Sequence, residues 1–163
     1  MGLKLTDNEF EIKYNQYSQM IFNIAYTYFK NYDDSYDIMQ DVFVKYLNSN
    51  KFNDENHEKA WLIRVTINHC KNVIKKKRRI INIDYEQYNN LKDEKNNTTE
   101  LTTDIFDNVS KLPDKYKTVI ILFYYNELSI KEIKDSLKIS ESAVKMRLVR
   151  AREMLLKMEE KND

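Results

Sequence analysis

The chain has 163 residues, 42% apolar and 33% charged, with a formal net charge of +1. That length suits one ordinary domain or two small ones. One Gly and one Pro are too few for a chain of tight hairpin turns, and too few for the glycine-rich loops that let backbone approach phosphate. An all-helical fold is therefore expected, and phosphate-loop or dinucleotide-loop chemistry is disfavoured.

Cys70 is the only cysteine, so no internal disulfide can form, as fits a reducing cytoplasm. The N-terminal "MGLKLTDNEFEIK" lacks a basic start followed by an apolar run, so no signal peptide is expected. The longest apolar stretch, "TVIILFYY" at 118–125, is far too short to span a bilayer and reads as a buried helix. Together these point to a cytoplasmic protein.

In chain order, Tyr17, Ile21, Ile24, Ala25 and Tyr28 recur at helical spacing, and the pattern ends near Asn31. Asp33 or Asp34 is expected to cap a second helix carrying Ile38, Val42, Phe43, Tyr46 and Leu47 on one side. A third helix is expected from about Glu58 to Arg79 through Trp61, Leu62, Val65, Ile67 and Val73, with Trp61 in the core. These make an N-terminal unit over 1–83. The polar stretch "DYEQYNNLKDEKNNTTELTTD" at 84–104 reads as a linker to a C-terminal unit over 105–163.

In the C-terminal unit Pro113 suits a helix first turn, where its missing N–H costs nothing. That helix continues through Val119, Leu122 and Phe123. Ser129 with Glu132 forms a capping box for a short helix ending near Leu137, and Ser140 caps a long final one. A short helix, a three-residue turn and a second capped helix make a helix-turn-helix. On the final helix Val144, Leu148, Ala151 and Leu155 share one face, expected to pack on Ile133 and on the helix containing Leu122. Lys145, Met146, Arg150 and Lys157 then point away, with Arg147 and Arg152 flanking the stripe. Ser140 and Ser142 stand beside free backbone N–H groups, a setting that suits a phosphate.

The small net charge hides segregation. Residues 1–56 carry five Lys against nine acids. "KNVIKKKRR" at 71–79 carries six basic residues and no acid, and 138–157 carries six against Glu141 and Glu153. Residues 84–104 carry six acids against Lys92 and Lys95. Two basic surfaces in separate helical units are the footprint of nucleic-acid binding.

Other chemistries find little support. His69 and Cys70 point about 100° apart on a helix and cannot easily chelate together, so no metal is expected from them and His57. The carboxylates Asp33, Asp34, Asp37 and Asp41 lack a His or Lys at useful spacing, which favours a docking face over catalysis. No cofactor, small-molecule substrate or enzymatic activity is expected.

Three segments in order resemble the extracytoplasmic-function class of bacterial RNA polymerase sigma factors. "YDIMQDVFVKYL" at 36–47 resembles the family's polymerase-binding helix. "KAWLIRVTINHCKNVIKKKRR" at 59–79 resembles its promoter-melting helix, and "KLPDKYKTVIILFYYNELSIKEIKDSLKISESAVKMRLVRAREML" at 111–155 its C-terminal helix-turn-helix domain. Two departures are Lys134, where the family usually has a small residue, and Lys138, where the turn usually has Gly. A left-handed Lys138 would cost on the order of 1 kcal/mol.

The resemblance implies a promoter-recognition subunit of two small all-α domains joined by a polar linker. Asp37, Gln40, Asp41 and Phe43 would dock on the clamp helices of the polymerase largest subunit, with further contact at the flap. Asn68 and Asn72 would read and capture a flipped base of the start-proximal (minus-ten) element, with Lys75, Lys76, Lys77, Arg78 and Arg79 on backbone phosphates. Ser140, Ser142, Lys145, Met146, Arg147 and Arg150 would serve the upstream (minus-35) element. The linker would thread near the RNA exit path. Regulation would come from an anti-sigma factor, often membrane-anchored, for whose helix the surfaces around Val42, Phe43 and Leu122 offer grooves. The competing reading is a dimeric helix-turn-helix regulator whose N-terminal unit senses or dimerises.

Overall fold

The computed structural model describes residues 5–81 and 103–162. Among the described residues there are seven α-helices and no strand. Residues 82–102, most of the expected linker, lie outside the described residues, and its last two positions already belong to a helix.

The N-terminal unit packs three helices: α1 (Asp7–Phe29), α2 (Tyr32–Leu47) and α3 (Glu55–Ile81). A capping box starts α1: the Glu9 N–H donates to Thr6 Oγ1 at 3.2 Å and the Thr6 N–H to Glu9 Oε2 at 2.9 Å. The helix stops at Lys30, whose left-handed backbone (φ 52°) sends its N–H back to the Tyr26 carbonyl. The cap of α2 is Asn31, not Asp33 or Asp34. Asn31 has extended backbone and accepts the Asp34 N–H at 3.0 Å. The two aspartates instead fill the first turn, where carboxylates complement the helix dipole. Three residues before the expected start, α3 begins, with Asp54 Oδ1 accepting the His57 N–H at 2.7 Å.

The core of this unit has a polar centre. Glu58 is buried where the three helices meet. Its Oε1 accepts from Lys13 Nζ at 2.8 Å and Tyr17 OH at 3.0 Å, and its Oε2 from Tyr46 OH at 2.9 Å. A buried carboxylate is tolerable only with donors of this kind. Ile21, Ile24, Val42, Leu62 and Ile63 close around it, and Trp61 packs against this core beside Tyr46 and Phe52.

The C-terminal unit comprises α4 (Thr103–Ser110), α5 (Asp114–Ile120), α6 (Ile130–Leu137) and α7 (Glu141–Asn162). Pro113 stands at the N-cap rather than in the first turn. Its ψ of 147° is extended, and its carbonyl already accepts from Tyr116 and Lys117. After Ile120 the coil widens into a π-helical turn over Ile121–Tyr125, closed by the Asn126 N–H on the Ile121 carbonyl at 3.1 Å. The expected capping box at Ser129 and Glu132 is present, and Ser140 Oγ accepts the Ala143 N–H at 3.1 Å. Lys138 is left-handed (φ 55°, ψ 46°), and both its N–H and that of Ile139 turn to the Lys134 carbonyl. Val144, Leu148 and Ala151 of α7 are buried against α5 and α6.

The two units pack together. α3 lies on α6, and α1 lies on α4 and the π turn. Tyr28 OH and Thr118 Oγ1 share a buried hydrogen bond at 3.0 Å. Lys59 Nζ meets Glu132 Oε2 at 2.7 Å, and Lys30 Nζ meets Asp107 Oδ1 at 2.8 Å. Val42, Phe43 and Leu122 are 0%, 3% and 0% exposed. The grooves expected around them are therefore filled by the chain's own core.

Candidate polymerase and nucleic-acid interfaces

The outward face of α2 is acidic. Asp37, Gln40, Asp41 and Val44 recur at i, i+3, i+4 and i+7 and are exposed, while Ile38, Met39, Val42 and Tyr46 face the core. Tyr32 and Tyr36 stack beside them with parallel rings 6.3 Å apart. Phe43 departs from its expected role. Its ring lies inside, edge-on to Phe10 at 5.8 Å and 4.9 Å from Tyr14. It fixes the back of the acidic face and is not itself offered to a partner.

Asp41 also reaches across to α3, where His69 Nε2 lies 3.0 Å from its Oδ2. Lys45 Nζ is 3.3 Å from His69 Nδ1. An ammonium can only donate, so Nδ1 accepts and the ring proton sits on Nε2, pointed at Asp41.

Along α3 the buried stripe of Leu62, Ile63, Thr66, Ile67 and Cys70 turns Asn68 and Asn72 outward together, one turn apart. Arg64 and Lys71 flank them. Further on, Lys75, Lys76, Arg78 and Arg79 are exposed. Lys77 is the exception in this basic run: it turns to α2, 3.5 Å from Asp34 and over the Phe29 ring.

At the start of α7, Ser142, Lys145, Met146, Val149 and Arg150 are exposed. Ser140 Oγ accepts in the cap, which leaves its O–H to donate elsewhere. Lys145 lies 3.1 Å from Glu141, one turn back. Arg150 reaches Tyr116, and this contact holds the Tyr116 hydroxyl below the usual phenol range. Arg152 donates through Nε to the Tyr124 hydroxyl at 2.5 Å, so it braces the π turn rather than facing outward free. Arg147 is half-buried. With Arg64, Asn68, Lys71 and Lys115 it lines a cleft of about 670 Å³ between α3 and the helix-turn-helix.

The site has two all-helical units in fixed order, an acidic outward α2, and basic surfaces at the end of α3 and the start of α7. Known proteins are similar to this chain in sequence and in fold. The family described as Sigma-70 region 2 matches residues 14–80, and that described as Sigma-70, region 4 matches residues 107–155. The chain is 33% identical over 156 residues to the ECF RNA polymerase sigma factor SigW of Bacillus subtilis (strain 168), covering 86% of this chain and 83% of that protein. The chain belongs to the extracytoplasmic-function class of RNA polymerase sigma factors.

Other comparisons agree with that membership. The RNA polymerase sigma factor SigV of the same organism is 29% identical over 140 residues, covering 85% of this chain and 84% of that one. The fold matches CnrH, solved in complex with the cytosolic domain of CnrY, with a TM-score of 0.73 at 19% identity over 97% of this chain and 92% of that one. It also matches the sigma factor RpoE from Bartonella quintana, solved in complex with the anti-sigma factor NepR, with a TM-score of 0.72 at 17% identity over 94% and 98% of the two chains. As a sigma factor of this class, the protein directs core RNA polymerase to promoter DNA for transcription initiation. The dimeric regulator is not favoured.

Several residues that shape these surfaces of the sigma factor escape a reading by pattern. Glu58 carries a faint signal, a carboxylate one turn before Leu62 in an apolar stripe. The His69–Asp41 and Lys59–Glu132 pairs join residues 28 and 73 positions apart and carry none. Burial pushes the Tyr17 and Tyr46 hydroxyls well above the usual phenol range, and the Glu58 charge adds to the shift. Burial also tends to raise Glu132, but Lys59 and the Ser129 N–H prevail and hold it below the usual carboxylate range. Burial lowers Lys117, which Asp114 at 3.6 Å partly offsets. Among the described residues no group of His, Cys, Asp and Glu gathers as a metal would need, and no helix is long and apolar enough to cross a membrane.

Proposed function

We propose a division of labour among these surfaces within the holoenzyme. Residues 1–83 form the polymerase-docking and start-proximal domain, residues 105–163 the upstream-element domain, and 84–104 the connection. Asp37, Gln40 and Asp41 dock on the clamp helices of the largest subunit. Asn68 and Asn72 read an unpaired base of the minus-ten element, because side-chain amides pair readily with base edges. The exposed Lys75, Lys76, Arg78 and Arg79 hold phosphates, with Lys77 joining only on leaving Asp34. The first turns of α7 enter the major groove of the minus-35 element through Lys145, Met146, Arg147 and Arg150, with Ser140 and Ser142 at its phosphates. The protein acts in the cytoplasm and carries out no chemistry of its own. An anti-sigma factor, such as the one named with the Bartonella structure, restrains it.

The observation that carries this reading is the segregation of charge by element: acids outward on α2, cations outward on late α3 and early α7. Its test is a split between DNA fragments. In holoenzyme, Arg150→Ala weakens binding of the upstream duplex and spares the pre-melted start-proximal strand, while Asn68→Ala does the reverse. A good side-chain contact to a base edge is worth about 1–3 kcal/mol. Equal effects on both fragments would refute the division. Asp37→Arg with Asp41→Arg weakens capture of core polymerase and leaves the helical circular dichroism spectrum unchanged.

A further inference from the structure

Asp37 and Asp41 supply the negative charge on the outward face of α2, and they are held differently. Among the described residues the Asp37 carboxylate has no partner. Asp41 has one, His69 of α3, whose Nε2 lies 3.0 Å from Oδ2. The Asp41 side chain is 58% exposed and that of His69 only 16%. The ring therefore holds the carboxylate from beneath and leaves its outer side open.

His69 is engaged on its other edge too, where Nδ1 lies 3.3 Å from Lys45 Nζ. Asp41 and Lys45 stand four apart on α2 with the acid first. That is the spacing and order at which a carboxylate and an ammonium attract best along a helix. Glu141 and Lys145 of α7, in the same arrangement, close to 3.1 Å, so the contact is within reach. Asp41 and Lys45 nevertheless form no ion pair with each other. The imidazole stands between them, Nε2 toward the acid and Nδ1 toward the cation.

This insertion changes what Asp41 offers a partner. An ammonium in contact offsets the carboxylate's charge and must be displaced before a second cation can bind. A neutral N–H donor leaves the charge in place, and the acceptor at Nδ1 gives Lys45 another partner. Both effects need ring nitrogens on opposite edges. A side chain of the same shape without them would only fill the space.

We propose that His69 is a positioning residue for polymerase docking. It is a spacer that keeps Asp41 out of an ion pair with Lys45, so that the carboxylate stays charged and open to a basic side chain of the polymerase. His69 acts through Asp41 and makes no contact with the polymerase itself. This rests on the reading of Asp37 and Asp41 as the docking face.

The experiment is a double-mutant cycle in the full chain: wild type, His69→Phe, Lys45→Met and the two together. Equilibrium capture of core polymerase is measured for all four, and a crystal structure of free His69→Phe locates Lys45. In that structure Lys45 Nζ should lie within salt-bridge range of Asp41. His69→Phe should weaken capture about two- to threefold, the effect of one helical ion pair that docking must break. In the Lys45→Met background the same replacement should change capture by less than about 1.5-fold, because no ammonium is left to occupy Asp41. Equal losses in the two backgrounds would overturn the spacer, since loss of packing alone costs the same with or without Lys45. A Lys45 that stays away from Asp41 in the His69→Phe structure would overturn it as well. Should His69→Phe lower helicity, His69→Leu, smaller at the same place, decides by the same two readings. Unchanged capture by Asp41→Asn, with the Lys45–Asp41 contact present in the His69→Phe structure, would sink the docking role of Asp41 and leave the spacer geometry standing.

Discussion

The two units solve burial in different ways. The first three helices converge on a carboxylate, Glu58, whose partners Lys13, Tyr17 and Tyr46 come from both other helices. The last four close over aliphatic residues, Val119, Leu122, Leu128, Ile133, Val144 and Leu148. There the buried hydroxyls of Thr118 and Ser136 donate to carbonyls one turn back, and the bond Thr118 also shares, with Tyr28, leads out to the other unit. Directional bonds allow one rotation of each helix about its axis, whereas apolar packing alone tolerates several. The N-terminal unit thus sets its register from the centre. The C-terminal unit sets its register at the ends of its helices, through the Ser129 box, the Ser140 cap and the left-handed turns at Glu127 and Lys138.

Substitutions can break this contrast or sharpen it. Leu122→Ala should have the largest effect, about 4 kcal/mol in urea unfolding, from lost transfer energy plus a cavity in a core with no polar fallback. Glu58→Ala should cost about 3 kcal/mol, because two buried tyrosine hydroxyls lose their acceptor. A loss below about 1 kcal/mol there would show that the polar centre does not organise the N-terminal unit.

Alkaline pH should act next, and mainly on the same unit. Tyr17 and Tyr46 titrate above the ordinary phenol value in the folded protein, so they keep their protons while the unfolded chain releases its own above about pH 10. The folded state then binds more protons, and stability falls as pH rises from about 10. The slope is up to about 1.4 kcal/mol per unit for each tyrosine. Urea midpoints at pH 9, 10 and 11 should show the decline, and Tyr17→Phe should flatten it.

The smallest change should be a gain. Lys138→Gly should stabilise by about 0.7 kcal/mol by relieving a side chain in left-handed backbone. No rise in the thermal midpoint would mean that the Lys138 stem makes compensating contacts at the turn.

What the sequence made legible divides along physical lines. Helical periodicity, caps at Ser129 and Ser140, and the charge runs are local, so the helices, the helix-turn-helix and the basic faces could be read directly. Pattern does not decide the cap of α2, because Asn31, Asp33 and Asp34 are all competent caps, and only the extended backbone at Asn31 distinguishes them. Phe43 sits between Val42, in the core, and Val44, on the surface, and an apolar residue at the edge of a stripe does not declare its side. The Glu58 centre, the His69 bridge and the contacts between units depend on residues far apart in sequence. No spacing rule reaches them.

Cys70 has a consequence outside recognition. It is buried, and burial pushes its thiol up to about 12. Near pH 7 the thiolate, the form that reacts with peroxides and electrophiles, is on the order of one part in 10⁵. The chain holds no other cysteine, so it offers thiol oxidants no exposed thiol. The same inertness makes it a clean background for labelling. Cysteines placed on the surfaces of the two units would take up fluorophores while the native thiol stayed silent, and the distance between the units could then be followed one molecule at a time.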